Sequence, residues 1–441
     1  MTQREESSTA LIRESEQSEV PPANPVSRTA WVMVIVIATT MTIANGARFL
    51  FGVVLKPLTE EFGWNRAELT AAVLIAMIIL SVCQPFIGIL VDRYGPKRIL
   101  VTGVLLLGLA LVPLSYATQL WQIYLFYGVF TSLGLAAASP VTATALIGRW
   151  FQAKRGLAMS LATSGSAFGQ LVIVPVATWI LTMSSWQMTY RVMAVAVLVV
   201  AVPLSIAFLQ NAPKPVDGMH AGGWLEDDGA TLREALLHPA FWLLALGFAV
   251  CGWTMAFPNT HFLAYADDMG MSLLHAAHTV SVTAVFSIVG SVLLGVAADR
   301  YPRTWVLALT YALRGLAFLL LLLLPMGNLI YIYGVVLGIS WTATTPITAA
   351  IAADRYGPRN LGVIFGCMFT FMNLGFGVGA FLDGVIYEWS GGYTAALLIN
   401  VALGLVAAAG IILVPFTGKE RVARPRTVPV QPQRVPASAA D

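Results

Sequence analysis

Three basic residues stand well inside long apolar stretches of this 441-residue chain: Arg48, His261 and Arg314. Arg48 lies in Ala44-Asn45-Gly46-Ala47-Arg48-Phe49. A guanidinium is always charged, so it does not shuttle protons. It can hold a carboxylate by two parallel charge-assisted hydrogen bonds. It can equally reach a nearby polar interface with its tip or pair structurally. Arg314, in Tyr311-Ala-Leu-Arg314-Gly315, has the same chemistry available, with bracing of neighbouring elements as the alternative. His261 follows Phe257-Pro258-Asn259-Thr260. It ordinarily titrates near neutral pH, which makes it a candidate proton carrier. Pro258 is expected to break the local helix and free carbonyls for binding or gating.

Around these three the polar residues are mild. Asn45, Tyr127, Gln170, Asn259, Trp341 and Asn373 are the candidates to touch a bound small molecule. Any one of them can instead bond its own backbone. No Asp or Glu falls mid-stretch, Asp383 being the deepest acid. Cys83, Cys251 and Cys367 all lie in apolar stretches and read as small packing residues. No His, Cys or acid cluster and no nucleotide loop is present, so neither metal, cofactor nor catalytic site is expected.

The elements that must position these residues are helices in a bilayer. The chain is 58% apolar and 11% charged, against about 25% charged in soluble domains. Twelve stretches near 31–56, 68–91, 99–117, 120–147, 157–183, 189–209, 240–266, 276–297, 304–324, 328–353, 362–388 and 394–416 are long enough to cross. In lipid each must be helical, because no water satisfies its backbone. The expected fold class is an all-α membrane protein of twelve transmembrane helices in two pseudo-symmetric six-helix halves.

Lys and Arg set the expected orientation. With both termini inside, 20 of the 25 basic residues fall on the cytoplasmic side. Outside lie Lys56, Arg66 and Arg191, and Arg48 and Arg314 fall within spans. A polar N-terminal tail (1–30, no cleavable signal) and a Pro-rich basic C-terminal tail (417–441) read as disordered and cytoplasmic. The net charge of +3 gives no reason to expect a nucleic-acid partner.

The second six stretches repeat the first six. Gly88-Ile-Leu-Val-Asp92-Arg93-Tyr-Gly95 returns as Gly295-Val-Ala-Ala-Asp299-Arg300-Tyr, 207 residues on. Gly165-Ser-Ala-Phe-Gly169 returns as Gly375-Phe-Gly-Val-Gly379, 210 residues on. Trp186 and Tyr393 open spans 6 and 12. The halves are therefore 31–209 and 240–416, joined by a cytoplasmic loop over 210–239. Gly88 and Gly295 are expected to let a neighbouring helix approach. Asp92, Arg93, Asp299 and Arg300, with Arg155, are expected to form pairs that hold an inner gate shut. Anchoring of the loops at the headgroups is the alternative. The small-xxx-small pairs of spans 5 and 11 are expected to pack helices closely.

At these residues the chain resembles the major facilitator superfamily, whose signature is the Gly-xxx-Asp-Arg-x-Gly loop. Pro96 and Pro302 depart from the pattern at single positions. Trp150-Phe151-Gln-Ala-Lys154-Arg155-Gly156 and Phe62-Gly63-Trp64-Asn-Arg66 resemble its monocarboxylate-transporter-like branch. The resemblance implies a first span lining a central cavity, a peripheral ninth span and rocking of the halves about one site. Animal members of that branch carry an Asp and an Arg in helix 8, where this chain has Ser287 and Ser291. The Asp-Gly of their first helix is also missing, with Asn45-Gly46 nearest to it. Proton coupling and lactate-like substrates therefore do not carry over directly.

The expectation is a secondary transporter, not an enzyme, for a small organic anion. A monocarboxylate is the leading class, moved with protons or by anion exchange. An exporter of hydrophobic or drug-like compounds is the alternative on the same fold. The expected setting is a bacterial cytoplasmic membrane, crossed many times by a monomer.

Overall fold

The computed structural model describes residues 28–148, 158–159, 161–162, 164–210, 230–325, 327–357 and 360–414. Among them twelve helices are long and apolar enough to cross a membrane. Spans 1 to 6 are Thr29–Phe62, Arg66–Val91, Pro96–Leu114, Leu120–Ala137, Gly165–Met183 and Trp186–Phe208. Spans 7 to 12 are Pro239–Thr260, Leu273–Arg300, Arg303–Leu323, Ile330–Tyr356, Leu361–Ser390 and Thr394–Leu413. Each tight loop is where the sequence permits it. Gly63 after span 1 and Gly270 before span 8, 207 residues apart, both take positive φ, which costs a glycine nothing.

Pro258 does not break span 7. The helix runs through it to Thr260, and the chain turns at His261 before the short helix Phe262–Asp268. A proline removes only one N–H from the ladder, and the His261 N–H still reaches the Phe257 carbonyl at 2.9 Å. Span 10 is interrupted instead, at Thr342 and Ala343, between Ile330–Trp341 and Thr344–Tyr356. Spans 4, 5 and 6 each contain a widened π-helical turn. Tyr127 and Gln170 both sit in such turns, a geometry frequent at functional sites.

By contacts the chain forms two compact units, Met1–Phe51 with Cys83–Lys214, and Gly52–Val82 with Pro215–Asp441. The segment Gly52–Val82 thus groups with the second unit, unlike the division at 210–239 that the repeat suggests. In the first unit span 5 packs on span 1. A Cβ on Gly165 would strike the Ala38 carbonyl, and one on Gly169 would meet the Thr42 carbonyl at 2.7 Å. In the second unit span 11 packs on span 7 in the same register. Gly375 faces the Ala249 carbonyl and Gly379 faces Trp253. Phe51 lies 4.5 Å from the Tyr127 ring, and Phe262 lies 5.4 Å from the Tyr333 ring, at matching positions of the two halves. The internal repeat is therefore a repeat of contacts as well as of letters.

Candidate functional site

In the first unit Arg48 rises from span 1 beside span 4. The Tyr127 hydroxyl donates to the Arg48 carbonyl at 3.3 Å. The Arg48 guanidinium lies within electrostatic reach of the same hydroxyl, and Tyr127 within reach of Tyr190 on span 6. Tyr127 and Tyr190 are both buried. Gln170 is buried on span 5, next to Gly169. Asn45 spends its amide N–H on the Met41 carbonyl of its own helix at 3.0 Å. The first unit thus brings Arg48 and Tyr127 together and adds Tyr190. That tyrosine was missed in the sequence, although Trp186-x-x-x-Tyr190 places it one turn from a repeat mark.

The second unit holds a different assembly, on the face that carries the loops after spans 1, 7 and 11. The Arg66 guanidinium is buried there. It pairs with Asp268 at 2.6 Å, donates to the Tyr393 hydroxyl at 2.8 Å and stacks 3.9 Å over the Tyr387 ring. The Arg66 backbone N–H donates to the Glu388 carboxylate at 2.8 Å. Lys56 completes the group, 2.5 Å from Asp267 and 3.0 Å from Asp268. The end of span 1 and the start of span 2 are latched in this way onto the segments after spans 7 and 11.

His261 is wired into the latch. It is fully buried, with Nδ1 2.8 Å from the Tyr393 hydroxyl and Nε2 2.8 Å from the Ala380 carbonyl. A carbonyl only accepts, so Nε2 carries the proton and Nδ1 accepts from the Tyr393 O–H. Burial raises the Tyr393 phenol above its ordinary value, against the opposing pull of Arg66. The hydroxyl keeps its proton and remains a donor. The run Arg66 to Tyr393 to His261 to Ala380 is thereby satisfied end to end by a neutral imidazole. Sequence reading singled out His261 but missed Arg66, Asp268 and Tyr387, which look like ordinary loop and helix-end residues.

This wiring makes a measurable prediction. Tyr393→Phe leaves the buried Nδ1 of His261 without a donor, at an expected cost of roughly 1–3 kcal/mol. The double variant His261→Phe with Tyr393→Phe leaves no orphan on that nitrogen. Its loss of thermal stability is expected to be smaller than the sum of the single losses. Simple additivity in detergent melting curves would show that the two side chains do not act as a pair.

Arg314 is fully buried in span 9. Its Nη2 donates to the carbonyls of Ser340 and Trp341, at 2.7 and 2.9 Å, where span 10 is interrupted. Its Nη1 reaches the Cys251 carbonyl, the Cys251 sulfur and the Thr254 hydroxyl at 3.0 to 3.3 Å. It therefore ties span 10 to span 7. Trp341 contributes its carbonyl to this brace, and its ring lies 5.9 Å from the guanidinium. Asn373 and Asn259 are not drawn into it. Each keeps one buried amide atom without a partner, Nδ2 of Asn373 and Oδ1 of Asn259.

The family model of the Major Facilitator Superfamily matches residues 37–295 and 248–439. The chain belongs to the Major Facilitator Superfamily. Among its relatives is the Uncharacterized MFS-type transporter YcxA of Bacillus subtilis, 25% identical over 86% of this chain and 93% of that protein. Monocarboxylate transporter 13 of Rattus norvegicus is also 25% identical, over 87% of this chain and 88% of that protein. A crystal structure of a bacterial homolog of the human lysosomal transporter Spinster superposes with a TM-score of 0.72. It is 16% identical and covers 89% of this chain and 98% of that one. This superfamily member is a multi-pass membrane protein and a transporter.

Of the charged residues expected to gate this facilitator, the side chains of Arg93, Asp299 and Arg300 are described. A Cβ on Gly88 or Gly295 would meet nothing within 4 Å. Neither glycine has a close neighbour among the described residues. Arg93 is exposed, 5.3 Å over the Tyr94 ring, and Asp299 and Arg300 are exposed. The Asp92 side chain and all of Arg155 lie outside the described residues. An ion pair does form nearby between Arg303, after the second signature loop, and Asp354 in span 10.

Proposed function

We propose that this transporter moves a small organic anion, a monocarboxylate in the first instance, by alternating access. The observation that carries the reading is Arg48, a permanent cation in a helix interior with the Tyr127 hydroxyl nearby, and Tyr190 beside that tyrosine. No Asp or Glu occurs between Thr29 and Lys56, or within spans 3, 4, 5 and 6. Such surroundings suit a carboxylate and give a lipophilic cation no counter-charge. Relatives that bear the name monocarboxylate transporter support the same class.

The latch supports a second element of this reading. With the loops after spans 1, 7 and 11 outside, as the positive-inside bias indicates, the latch closes the outer side of a cytoplasmic membrane and both termini lie inside. His261 is the candidate coupling group. A proton on Nδ1 would oppose the Tyr393 O–H that now donates to it, and would weaken the latch. Protonation from outside would thus favour outward opening. Anion exchange would leave His261 neutral throughout.

The test is thermal stabilisation of the purified protein by small carboxylates, their amides and lipophilic cations. A ligand that binds only the folded state raises the melting temperature by mass action. The expected result is a shift with a carboxylate that is absent for its amide. Arg48→Ala is expected to lose roughly 2–3 kcal/mol of that binding, about 30- to 140-fold in Kd. Arg48→Lys is expected to recover part of it. Shifts with lipophilic cations or neutral drugs alone, or normal carboxylate binding in both variants, would overturn the proposal.

A further inference from the structure

Asp383 takes no part in the arrangement described so far, although it is an acid in a membrane span. It is 0% exposed on span 11, and neither carboxyl oxygen has a hydrogen-bond partner. An ionised carboxylate in a dry interior with no donor costs far more than folding can supply, and such a group takes up a proton instead. Packing does not require an acid there. The residue four after Gly379 is Asp383, and the residue four after Gly169, its counterpart in the repeat, is Ile173. Ile173 packs on Gly46 as a plain hydrophobe.

The latch covers the adjacent turn. A Cβ on Gly384 would meet the Thr70 hydroxyl at 2.7 Å, the Arg66 carbonyl at 3.0 Å and the Ala67 Cα at 3.1 Å. The first turn of span 2 therefore lies directly on span 11 at Gly384, the residue after Asp383. That turn is the one held by the Arg66–Asp268 pair and by the bond from Arg66 N–H to Glu388. The titratable and charged groups around this part of the unit are His261 after span 7, Tyr265 and Asp268 beyond it, and Arg66 on span 2. Tyr387 and Glu388 on span 11, Tyr393 before span 12, Glu68 in the first turn of span 2, and Lys56 with Asp267 in the latch complete the set. None of them donates to Asp383. Ala380, whose carbonyl takes the His261 N–H, lies three residues before it and on the same helix face.

We propose that Asp383 is a proton-binding site, neutral while the first turn of span 2 covers span 11 and ionised once the latch releases that turn. On release the carboxyl O–H bond breaks and its electron pair stays on the carboxylate. The proton passes to water that enters the opened turn. Use of this proton to drive substrate movement rests on the transport reading above, whereas its binding does not.

Infrared difference spectroscopy on the full chain in lipid vesicles tests this without any substrate. At pH 7 the wild type is expected to show the carbonyl band of a protonated carboxylic acid, and Asp383→Asn to lack it. Asp268→Asn and Arg66→Gln, which cut the latch, are expected to lose that band and gain carboxylate absorption at the same pH. A band unchanged by Asp383→Asn would overturn the site. A band unchanged in both latch variants would overturn its link to the latch. The pH titration of the wild-type band stands even where a variant folds poorly, and absence of any such band at pH 7 overturns the proposal. Replacing sodium by choline supplies a further arm. Loss of the band on sodium addition would make Asp383 a sodium site instead. A failed carboxylate screen leaves all these outcomes readable, so the two proposals fail separately.

Discussion

Arg314→Ala is expected to be the most destabilising single side-chain truncation in the second unit. The substitution strips the Ser340 and Trp341 carbonyls of their donor at the interruption of span 10. Those two carbonyls end a helix, so no residue of the ladder replaces the guanidinium. Each buried acceptor left unpaired costs about 1–3 kcal/mol, and the contacts to Cys251 and Thr254 go as well. A net loss of roughly 3 kcal/mol corresponds to about 6–12 °C in melting temperature for a unit of this size. Arg314→Lys keeps one charge but only one nitrogen, which cannot serve both span 7 and span 10. It is expected to fall between wild type and alanine. Melting curves in detergent check the order, and carboxylate affinity per folded molecule is expected to stay unchanged. An Arg314→Ala protein that melts like wild type but no longer binds carboxylates would move Arg314 from brace to substrate contact.

The spans were legible in the sequence because hydrocarbon leaves a twenty-residue apolar stretch no other conformation. The repeat was legible for a related reason. Gly165, Gly169, Gly375 and Gly379 stay small where helices touch, and a touch between backbones leaves a mark in the letters. The latch left no such mark. Arg66 and Asp268 lie 202 residues apart in sequence, each in a loop or at a helix end where a charge is ordinary. Only the packing shows that Arg66 is 3% exposed and surrounded by Tyr387, Tyr393 and Asp268. Arg48, its neighbour Tyr127 and His261 were singled out in the sequence as site candidates, but Tyr190 beside Tyr127 and Tyr393 beside His261 were not. Tyr190 and Tyr393 are aromatic residues at span ends, a common place for them in any membrane protein. A charge out of place is thus visible in one dimension, whereas the partner that makes it useful is set by the third.

The glycines allow the sharpest contrast, because motif and packing predict opposite outcomes. The signature glycines Gly88 and Gly295 have open space where a side chain would go. The less conspicuous Gly165 and Gly375 have a carbonyl there, from Ala38 and Ala249. Gly252 faces the Met372 carbonyl on the same helix pair as Gly375. A side chain at any of these last three must push two backbones apart, and helix backbones do not re-rotamer as a flexible side chain does. Overpacking against side chains alone costs about 1–3 kcal/mol. Displacing spans 7 and 11, which position His261 and carry Asp383, should exceed that range. Gly375→Leu and Gly165→Leu are therefore expected to give little folded protein, read as the monodisperse fraction on size exclusion after extraction. Gly88→Leu and Gly295→Leu are expected to fold at near wild-type yield, with any defect confined to transport rate. Good yield from Gly375→Leu would mean that spans 7 and 11 do not approach as closely as the carbonyl contact requires. Poor yield from Gly88→Leu would mean that the first signature loop closes against a neighbour during folding.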